Sequence, residues 1–206
     1  MLKIKFIFDV ASPNGYLSHK VVPAFEKKYN VQFDYKICLL GGIHKLSNNQ
    51  SPIISYAEIP NKSSYFNKEI ERFIKFHNLE KFQMNPHFPI NTLQIQRAAL
   101  VAQEIGVLKE YIDVLCKGMW EEGMNFGDQL ILTEYLNNNN LDGTLILNQS
   151  SEPQIKQKLI ENTESAVEMG AFGVPTFFIE NEIFWGKEAF REMPDYLSNR
   201  KNSLGN

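Results

Sequence analysis

The alternation of apolar and polar residues predicts a β-strand, an α-helix and a second strand at the start of the chain. Residues 3–8 alternate and then become fully apolar, as expected for a strand entering a core. Residues 16–29 place apolar side chains at helical spacing after Ser12 and Pro13, a residue pair that can open a helix. Residues 31–37 alternate strictly. The opening is therefore interpreted as a βαβ unit with parallel strands and a right-handed crossover.

The middle of the chain has a helical pattern from residue 41 to about residue 170. Turn-rich breaks interrupt this pattern at residues 47–52, 85–89 and 137–143. Residues 151–154 have the Ser-x-x-Gln spacing of a capping box, which predicts a helix start at Ser151.

The strand pattern returns after residue 170. Residues 175–179 and 183–185 are predicted strands joined by a turn, and an amphipathic helix follows them. This order predicts an α/β fold, in which a βαβ…ββα sheet domain holds a large all-helical insertion between its halves. The predicted divisions are a sheet domain of residues 1–40 and 171–200, a helical insertion of residues 41–170 and a C-terminal tail of residues 201–206.

The composition is that of an ordinary globular protein, with 206 residues, 43% of them hydrophobic and 22% charged. The net charge is −3 and Lys and Arg do not cluster, so nucleic acid is not an expected partner. No apolar run approaches the roughly 18 residues of a membrane span, so a membrane is not expected either. The apolar N-terminal stretch is too short for a secretory signal, which favours a cytoplasmic location.

The cysteines and histidines do not have the spacing of a metal site. Cys38 and Cys116 are far apart and form no Cys-x-x-Cys pair, zinc motif or disulfide framework. Each is interpreted as a small buried hydrophobic residue. The four histidines have no HExxH or HxxxH spacing, so no metal is predicted.

Two local features could carry chemistry. Ser12 lies where the first strand meets the first helix, and a helix N-terminus favours a nearby negative charge. The same serine could equally be a plain N-cap. Pro175 opens a strand expected at the centre of the sheet, which requires either a trans strand start or a cis Val174–Pro175 bond. A cis bond would leave the backbone of Val174 free to pair with an extended ligand.

These features, in this order, resemble one branch of the thioredoxin fold. The branch comprises DsbA-like proteins, kappa-class glutathione transferases and 2-hydroxychromene-2-carboxylate isomerases. Residues 8–17 (FDVASPNGYL) resemble the isomerase and kappa motif, in which serine replaces the first cysteine of Cys-x-x-Cys. The resemblance reaches to about Leu197 and implies a thioredoxin-like sheet domain. Further segments that resemble the isomerase subgroup, in sequence and order, are residues 40–45, 88–91, 120–123, 170–178 and 184–186.

The resemblance implies glutathione as the cofactor and Ser12 as the catalytic residue. Ser12 would hydrogen-bond the glutathione sulfur and favour its thiolate. Val174, before Pro175, would pair through its backbone with the cysteinyl part of the tripeptide. Asn49 and Lys62 lie where the family has polar glutathione contacts, with Lys62 facing the glycyl carboxylate.

The chain departs from the family pattern at three places. Gly15 stands where a second serine is common, and Asn14 stands where an aromatic residue is usual. Lys187 and Glu188 occupy the segment where an acidic residue followed by arginine is usual. Glu188 could still bind the γ-glutamyl amine, although its extra methylene changes the geometry of that contact.

The resemblance implies a glutathione-dependent isomerase acting on a small aromatic or alkenyl 2-oxo acid. Asn91 and Arg97 are the candidate substrate-binding residues, although Arg97 could equally form a surface or interhelix salt bridge. Glutathione transfer is the second hypothesis, and a redox-inactive peptide-binding protein is the third. DsbA-like oxidation is disfavoured because Ser12 and Gly15 leave no dithiol. A homodimer is possible, since relatives of this type are often dimers.

Overall fold

The computed structural model describes the backbone of residues 1–204 and the side chains of residues 1–200. Within these residues one four-stranded sheet has the order β2-β1-β3-β4. Strand β1 pairs parallel with β2 and antiparallel with β3, which in turn pairs antiparallel with β4. The predicted βαβ…ββα topology is confirmed. The strands are β1 (Leu2–Phe8), β2 (Val31–Ile37), β3 (Thr176–Ile179) and β4 (Glu182–Trp185).

Helices form the rest of the described secondary structure. They are α1 (Pro13–Tyr29), α2 (Leu40–Leu46), α3 (Pro52–Ser55), α4 (Pro60–His77), α5 (Leu93–Glu104), α6 (Leu108–Trp120), α7 (Gln129–Asn138), α8 (Gly143–Gln149), α9 (Pro153–Glu168) and α10 (Ala189–Leu204). Helix α1 is the crossover between the parallel strands, and α2 to α9 form the predicted helical insertion between β2 and β3. Residues 201–204 of the predicted tail belong to α10, and residues 205 and 206 lie outside the described part of the chain.

Apolar side chains from the sheet and from the insertion form a continuous core. The largest cluster of buried residues joins Phe6 and Phe177 of the sheet to Leu100 and Trp120 of the insertion. Because this cluster crosses the predicted domain boundary, the sheet and the insertion bury apolar surface against each other. The division into two domains stays a prediction from the sequence.

The insertion also fixes the carboxyl ends of the two parallel strands. The side-chain amide of Gln96, in α5, donates to the carbonyl oxygens of Phe8 at 3.0 Å and Cys38 at 2.9 Å. The indole of Trp120, at the end of α6, donates to the carbonyl oxygen of Val10 at 2.9 Å. All of these groups are buried, so the bonds satisfy strand-end carbonyls that water cannot reach. The insertion thereby holds the turn that leads into α1.

The capping box predicted at Ser151 is wrong. Helix α9 begins one residue later than that motif requires, with Glu152 as the N-cap and no side-chain capping bond. Pro153 occupies the first helical position, where its fixed φ and missing N–H suit a helix start. Proline, rather than a serine cap, is therefore the residue that marks this helix start.

No helix in the described residues is both long enough and apolar enough to cross a membrane.

Candidate functional site

Ser12 is the N-cap of α1 and also connects two distant parts of the sheet domain. Its hydroxyl accepts a hydrogen bond from the Gly15 backbone N–H at 3.1 Å, which confirms the N-cap prediction. The same hydroxyl donates to the Val174 carbonyl oxygen at 2.8 Å. Ser12 is buried, at 5% exposure. The side chain is therefore held by one donor and one acceptor at the positive end of the helix.

The Val174–Pro175 peptide bond is cis, and it brings the backbone of Val174 beside the start of α1. A methyl group added to Gly15 would lie 3.5 Å from Val174 Cγ1 and 3.3 Å from Ser12 Cβ. The residue found in place of the usual second serine therefore packs directly between Ser12 and Val174. Of the two alternatives left open by the sequence, the cis bond is the one observed.

A buried carboxylate supports the turn before Ser12. Asp9 accepts hydrogen bonds from the backbone N–H groups of Ala11 at 2.9 Å and Leu40 at 2.8 Å, and from the hydroxyl of Thr92 at 3.1 Å. Burial raises the pKa of Asp9 to about 6, although these hydrogen bonds oppose the shift. Asp9 thus ties the β1–α1 turn to the starts of α2 and α5.

Ser12 and Val174 line a cavity of about 990 Å³. This volume matches that of typical small-molecule sites in proteins. The loop after α2 contributes a polar wall, and α4 with the loop that follows it contributes an apolar wall. The polar wall includes Ser47, Asn48, Asn49, Gln50 and Ser51, and the apolar wall includes Phe66, Ile70, Ile74, Phe82, Met84 and Phe88.

The structure brings three of the predicted site residues together at this cavity: Ser12, Asn49 and Val174. The side-chain amide of Asn49 donates to the Phe172 carbonyl oxygen at 2.7 Å, so the loop after α2 is tied to the segment before β3. Lys62 is not among the lining residues. Its ammonium lies 4.1 Å from the centre of the Tyr56 ring, and Tyr56 does line the cavity.

The other predicted residues lie elsewhere. Pro175 and Glu188 are not among the cavity-lining residues, and the Glu188 carboxylate accepts from the Lys187 ammonium at 2.7 Å. Asn91 accepts from the backbone N–H of Leu93 at the start of α5. Arg97 does not line the cavity either. Its Nε is buried without a hydrogen-bond partner, and it forms no salt bridge with the described residues.

Sequence reasoning missed the apolar wall and one titratable side chain. Phe66, Ile70 and Ile74 recur every four residues of α4, a spacing that places them on one helix face. His44 also lines the cavity, and burial lowers its pKa below 6.5, so the imidazole is neutral at pH 7. Among the described residues that line this cavity there is no Lys or Arg. The N-terminus of α1 is a source of positive potential at Ser12.

The two cysteines lie outside this cavity, as small buried residues. Cys38 and Cys116 are both free and buried, which confirms the interpretation from sequence. Burial raises the pKa of the Cys38 thiol to about 12 and raises that of Cys116 as well. Neither thiol is therefore a reactive thiolate at neutral pH.

Known proteins are similar to this chain along most of their length. Glutathione S-transferase kappa 1 of Rattus norvegicus is 27% identical over 182 residues, which cover 84% of this chain and 79% of the relative. A 2-hydroxychromene-2-carboxylate isomerase of Pseudomonas putida is 22% identical over 193 residues, covering 90% and 89%. A solved structure of 2-hydroxychromene-2-carboxylate isomerase superposes with a TM-score of 0.82 at 19% identity, covering 100% of both chains.

The family assignment rests on a profile that spans nearly the whole chain. The profile described as DSBA-like thioredoxin domain matches residues 3–198, which include three strands entirely, β1 except for its first residue, and the segments around Ser12 and Val174. The chain therefore belongs to the family of DSBA-like thioredoxin domains.

Proposed function

We propose that the protein is a glutathione-dependent isomerase of the 2-hydroxychromene-2-carboxylate isomerase type. The observation that carries the proposal is the pairing of Ser12 with the backbone of Val174 at the edge of the cavity. This pairing joins a hydroxyl at a helix N-terminus to a backbone segment suited to an extended ligand. The relatives named as isomerases and as kappa-class glutathione transferases support glutathione as the cofactor.

Binding of glutathione would replace the hydrogen bond between Ser12 and Val174 with two hydrogen bonds to the ligand, one from Ser12 and one to Val174. A hydroxyl has a single O–H to donate, and the Ser12 O–H is directed at the Val174 carbonyl oxygen in the ligand-free chain. When this O–H turns to a thiolate sulfur, the Val174 carbonyl becomes free to accept from the cysteinyl N–H of the tripeptide. The Gly15 N–H continues to bond the Ser12 oxygen and keeps it in place. Ser12 and the α1 dipole then favour the thiolate over the thiol.

The bound thiolate would catalyse isomerisation by reversible addition. Its sulfur forms a bond to one carbon of the conjugated double bond of a 2-oxo acid, and the electron pair moves to the carbonyl oxygen as an enolate. The former double bond is now single and rotates. The enolate then re-forms the double bond and expels the thiolate, so no oxidant or reductant is consumed. The apolar wall from α4 and the following loop suits the aryl or alkenyl part of such a substrate.

Glutathione transfer is a second candidate, and one observation favours it. The described cavity-lining residues include no Lys or Arg to bind a substrate carboxylate, and Asn91 and Arg97 lie outside the lining. An uncharged electrophile needs no such cation. Parallel assays with an aryl halide and with a benzylidenepyruvate-type ene-oxo acid separate the two reactions, because only transfer consumes glutathione.

Replacement of Ser12 tests the proposed catalytic role. We expect Ser12→Ala and Ser12→Gly to lower glutathione-dependent kcat by about 100-fold, the usual cost of removing one donor to a developing anion. Glycine is tolerated at an N-cap almost as well as serine, so Ser12→Gly separates loss of the hydroxyl from loss of the cap. Steady-state kinetics and thermal unfolding are measured for both variants.

Ser18→Ala is the matched control. Ser18 lies in the same helix, is buried, and its hydroxyl has no hydrogen-bond partner and does not line the cavity. The Ser18→Ala variant should keep the wild-type kcat. Full turnover in Ser12→Gly would exclude the role assigned to Ser12. Calorimetry that detects an extended peptide but no glutathione would instead favour the peptide-binding hypothesis.

A further inference from the structure

Lys187 is a fully buried lysine, at 0% exposure, that joins the end of β4 to helix α4. Its ammonium lies 2.7 Å from Glu188 Oε1 and 3.2 Å from Glu69 Oε2. It also lies 5.8 Å from the centre of the Phe73 ring, within the range of a cation–π contact. A buried lysine is tolerated only when its charge is paired in this way.

Lys187 is attached to the same segment that holds the ligand-binding backbone. The N–H of Gly186 donates to the Pro175 carbonyl oxygen at 2.9 Å, so the residue before Lys187 is bonded to the residue after Val174. The position of the Lys187 ammonium is therefore fixed relative to Val174 and, through the Val174 carbonyl, relative to Ser12.

Apart from Lys187, helix α4 is anchored by Phe73 and by the partly buried Ile70 and Ile74, which pack against the core. It is 18 residues long, yet Phe73 is its single buried side chain among the described residues. Glu69 and Phe73 are four residues apart and share one helix face, and both contact Lys187. The neighbouring face carries Phe66 and Ile70 of the apolar wall. The Lys187 ammonium thus lies where α4 meets the sheet domain.

We propose that Lys187 is a positioning residue that holds α4 against the cavity and so sets the distance between the apolar wall and Ser12. This inference rests on the proposed function, since it assigns a role in the same site. Lys62, the candidate contact for the glycyl carboxylate, is also carried on α4. Lys187 therefore controls the placement of substrate and glutathione without touching either.

Removal of the ammonium should act on binding more than on chemistry. In Lys187→Met the carboxylates of Glu69 and Glu188 lose their shared cation and repel each other, so α4 should move away from the sheet. We expect the KM values for glutathione and substrate to rise about tenfold or more, with a smaller change in kcat, because displacement of a distant support misplaces the bound groups. Hydrogen exchange of the α4 backbone should accelerate in the same variant.

An apolar replacement of the ion pair should rescue binding. Lys187→Met combined with Glu69→Leu replaces the Lys187–Glu69 ion pair with an apolar contact to α4, an exchange that proteins often tolerate, and leaves the Glu188 carboxylate, 29% exposed, to solvent. We expect this double variant to recover most of the wild-type KM and the slow exchange of α4. Lys158→Met is the matched control, because Lys158 forms an exposed ion pair of 2.9 Å with Glu104 between α9 and α5, away from the cavity. It should change neither KM nor the exchange of α4.

The outcomes distinguish this inference from the proposed function. If wild-type protein neither binds nor uses glutathione, the proposed function fails, while α4 exchange in Lys187→Met still tests the anchor. Unchanged α4 exchange and unchanged KM in Lys187→Met would overturn the inference. If Lys187→Met does not fold, Glu69→Gln provides the same test, since it leaves Lys187 paired with Glu188 and weakens only the bond to α4.

Discussion

At the scale of single residues, the proposed chemistry depends on the hydrogen bonds that the Ser12 hydroxyl donates and accepts. The Ser12 hydroxyl accepts from the Gly15 N–H as the helix cap and donates to the Val174 carbonyl oxygen, so capping uses its oxygen and not its O–H. The sequence could single out Ser12 through the resemblance of residues 8–17 to the isomerase and kappa motif, because its position at a helix start is explained equally well by a plain N-cap. It could not identify the role of Lys187, since pairing with Glu69 depends on residues 118 positions apart.

Asp9 is the residue with the clearest expected pH effect on stability. Its pKa of about 6 in the folded state is above the ordinary value of 3.8, so the folded state binds this proton more tightly than the unfolded state does. Asp9 therefore contributes stability when protonated, and this contribution is lost as pH rises through about 6. The free energy of unfolding attributable to Asp9 should fall by about 2 kcal/mol between pH 4 and pH 7.

Asp9→Asn provides the reference for this effect. Asparagine has similar size and does not titrate, so the difference in unfolding free energy between wild type and variant isolates Asp9. Urea unfolding of both proteins from pH 4 to pH 7 should show wild type losing stability relative to Asp9→Asn as the pH rises. A difference that does not change with pH would show that the carboxyl has an ordinary pKa.

At the scale of elements, local patterns predicted the strands and most helices, but not how tightly the elements pack. Residues 31–37 alternate strictly and form β2 with the same bounds. The capping box at Ser151 failed because Pro153 provides a competing helix start. Close contacts between helices involve side chains distant in sequence, so local sequence patterns cannot predict them.

Two helical glycines, Gly118 and Gly41, differ in how closely other side chains pack against them. A methyl group on Gly118 in α6 would lie 2.8 Å from Phe126 Cε2 and 2.9 Å from Tyr135 Cε1, which is too close. Gly118→Ala should therefore destabilise the protein by about 1–3 kcal/mol. A methyl group on Gly41 in α2 would meet no atom within 4 Å, so Gly41→Ala should stabilise by up to about 1 kcal/mol. Urea unfolding of both variants checks the opposite signs, and equal effects would contradict the packing described for α6.

At the scale of the whole molecule, the chain has a DsbA-like fold but contains no Cys-x-x-Cys dithiol. Ser12 and Gly15 occupy the two motif positions, and the free thiols of Cys38 and Cys116 are buried elsewhere. Under the proposed function, the reactive sulfur is that of bound glutathione and not that of Cys38 or Cys116. A homodimer and a cytoplasmic location stay predictions.

The scaffold should still accept a disulfide at the motif. A Cβ on residue 15 would lie 3.3 Å from Ser12 Cβ, slightly less than the separation of about 3.5–4.5 Å in disulfides, and 3.1 Å from the Asp9 carbonyl oxygen, so a small shift of the turn is needed. We expect Ser12→Cys/Gly15→Cys to form an internal disulfide and to catalyse thiol–disulfide exchange with a peptide substrate, which wild type should not do. Mass spectrometry after alkylation detects the disulfide. Ser12→Cys alone is the control, and a double variant whose two new thiols both remain free would show that the motif geometry differs from that of a redox site.

The sequence by itself determined the βαβ…ββα order, the helical insertion, the Ser12 motif and the absence of a Cys-x-x-Cys pair. These features are set by local periodicity and by residue identity, which a linear chain displays directly. Only the tertiary structure decided which residues meet: that Asn49 reaches the cavity, that Arg97 does not, and that Glu188 is paired with Lys187. Such contacts depend on packing between segments far apart in sequence, and the free energies that select them come from burial and charge pairing in the folded core.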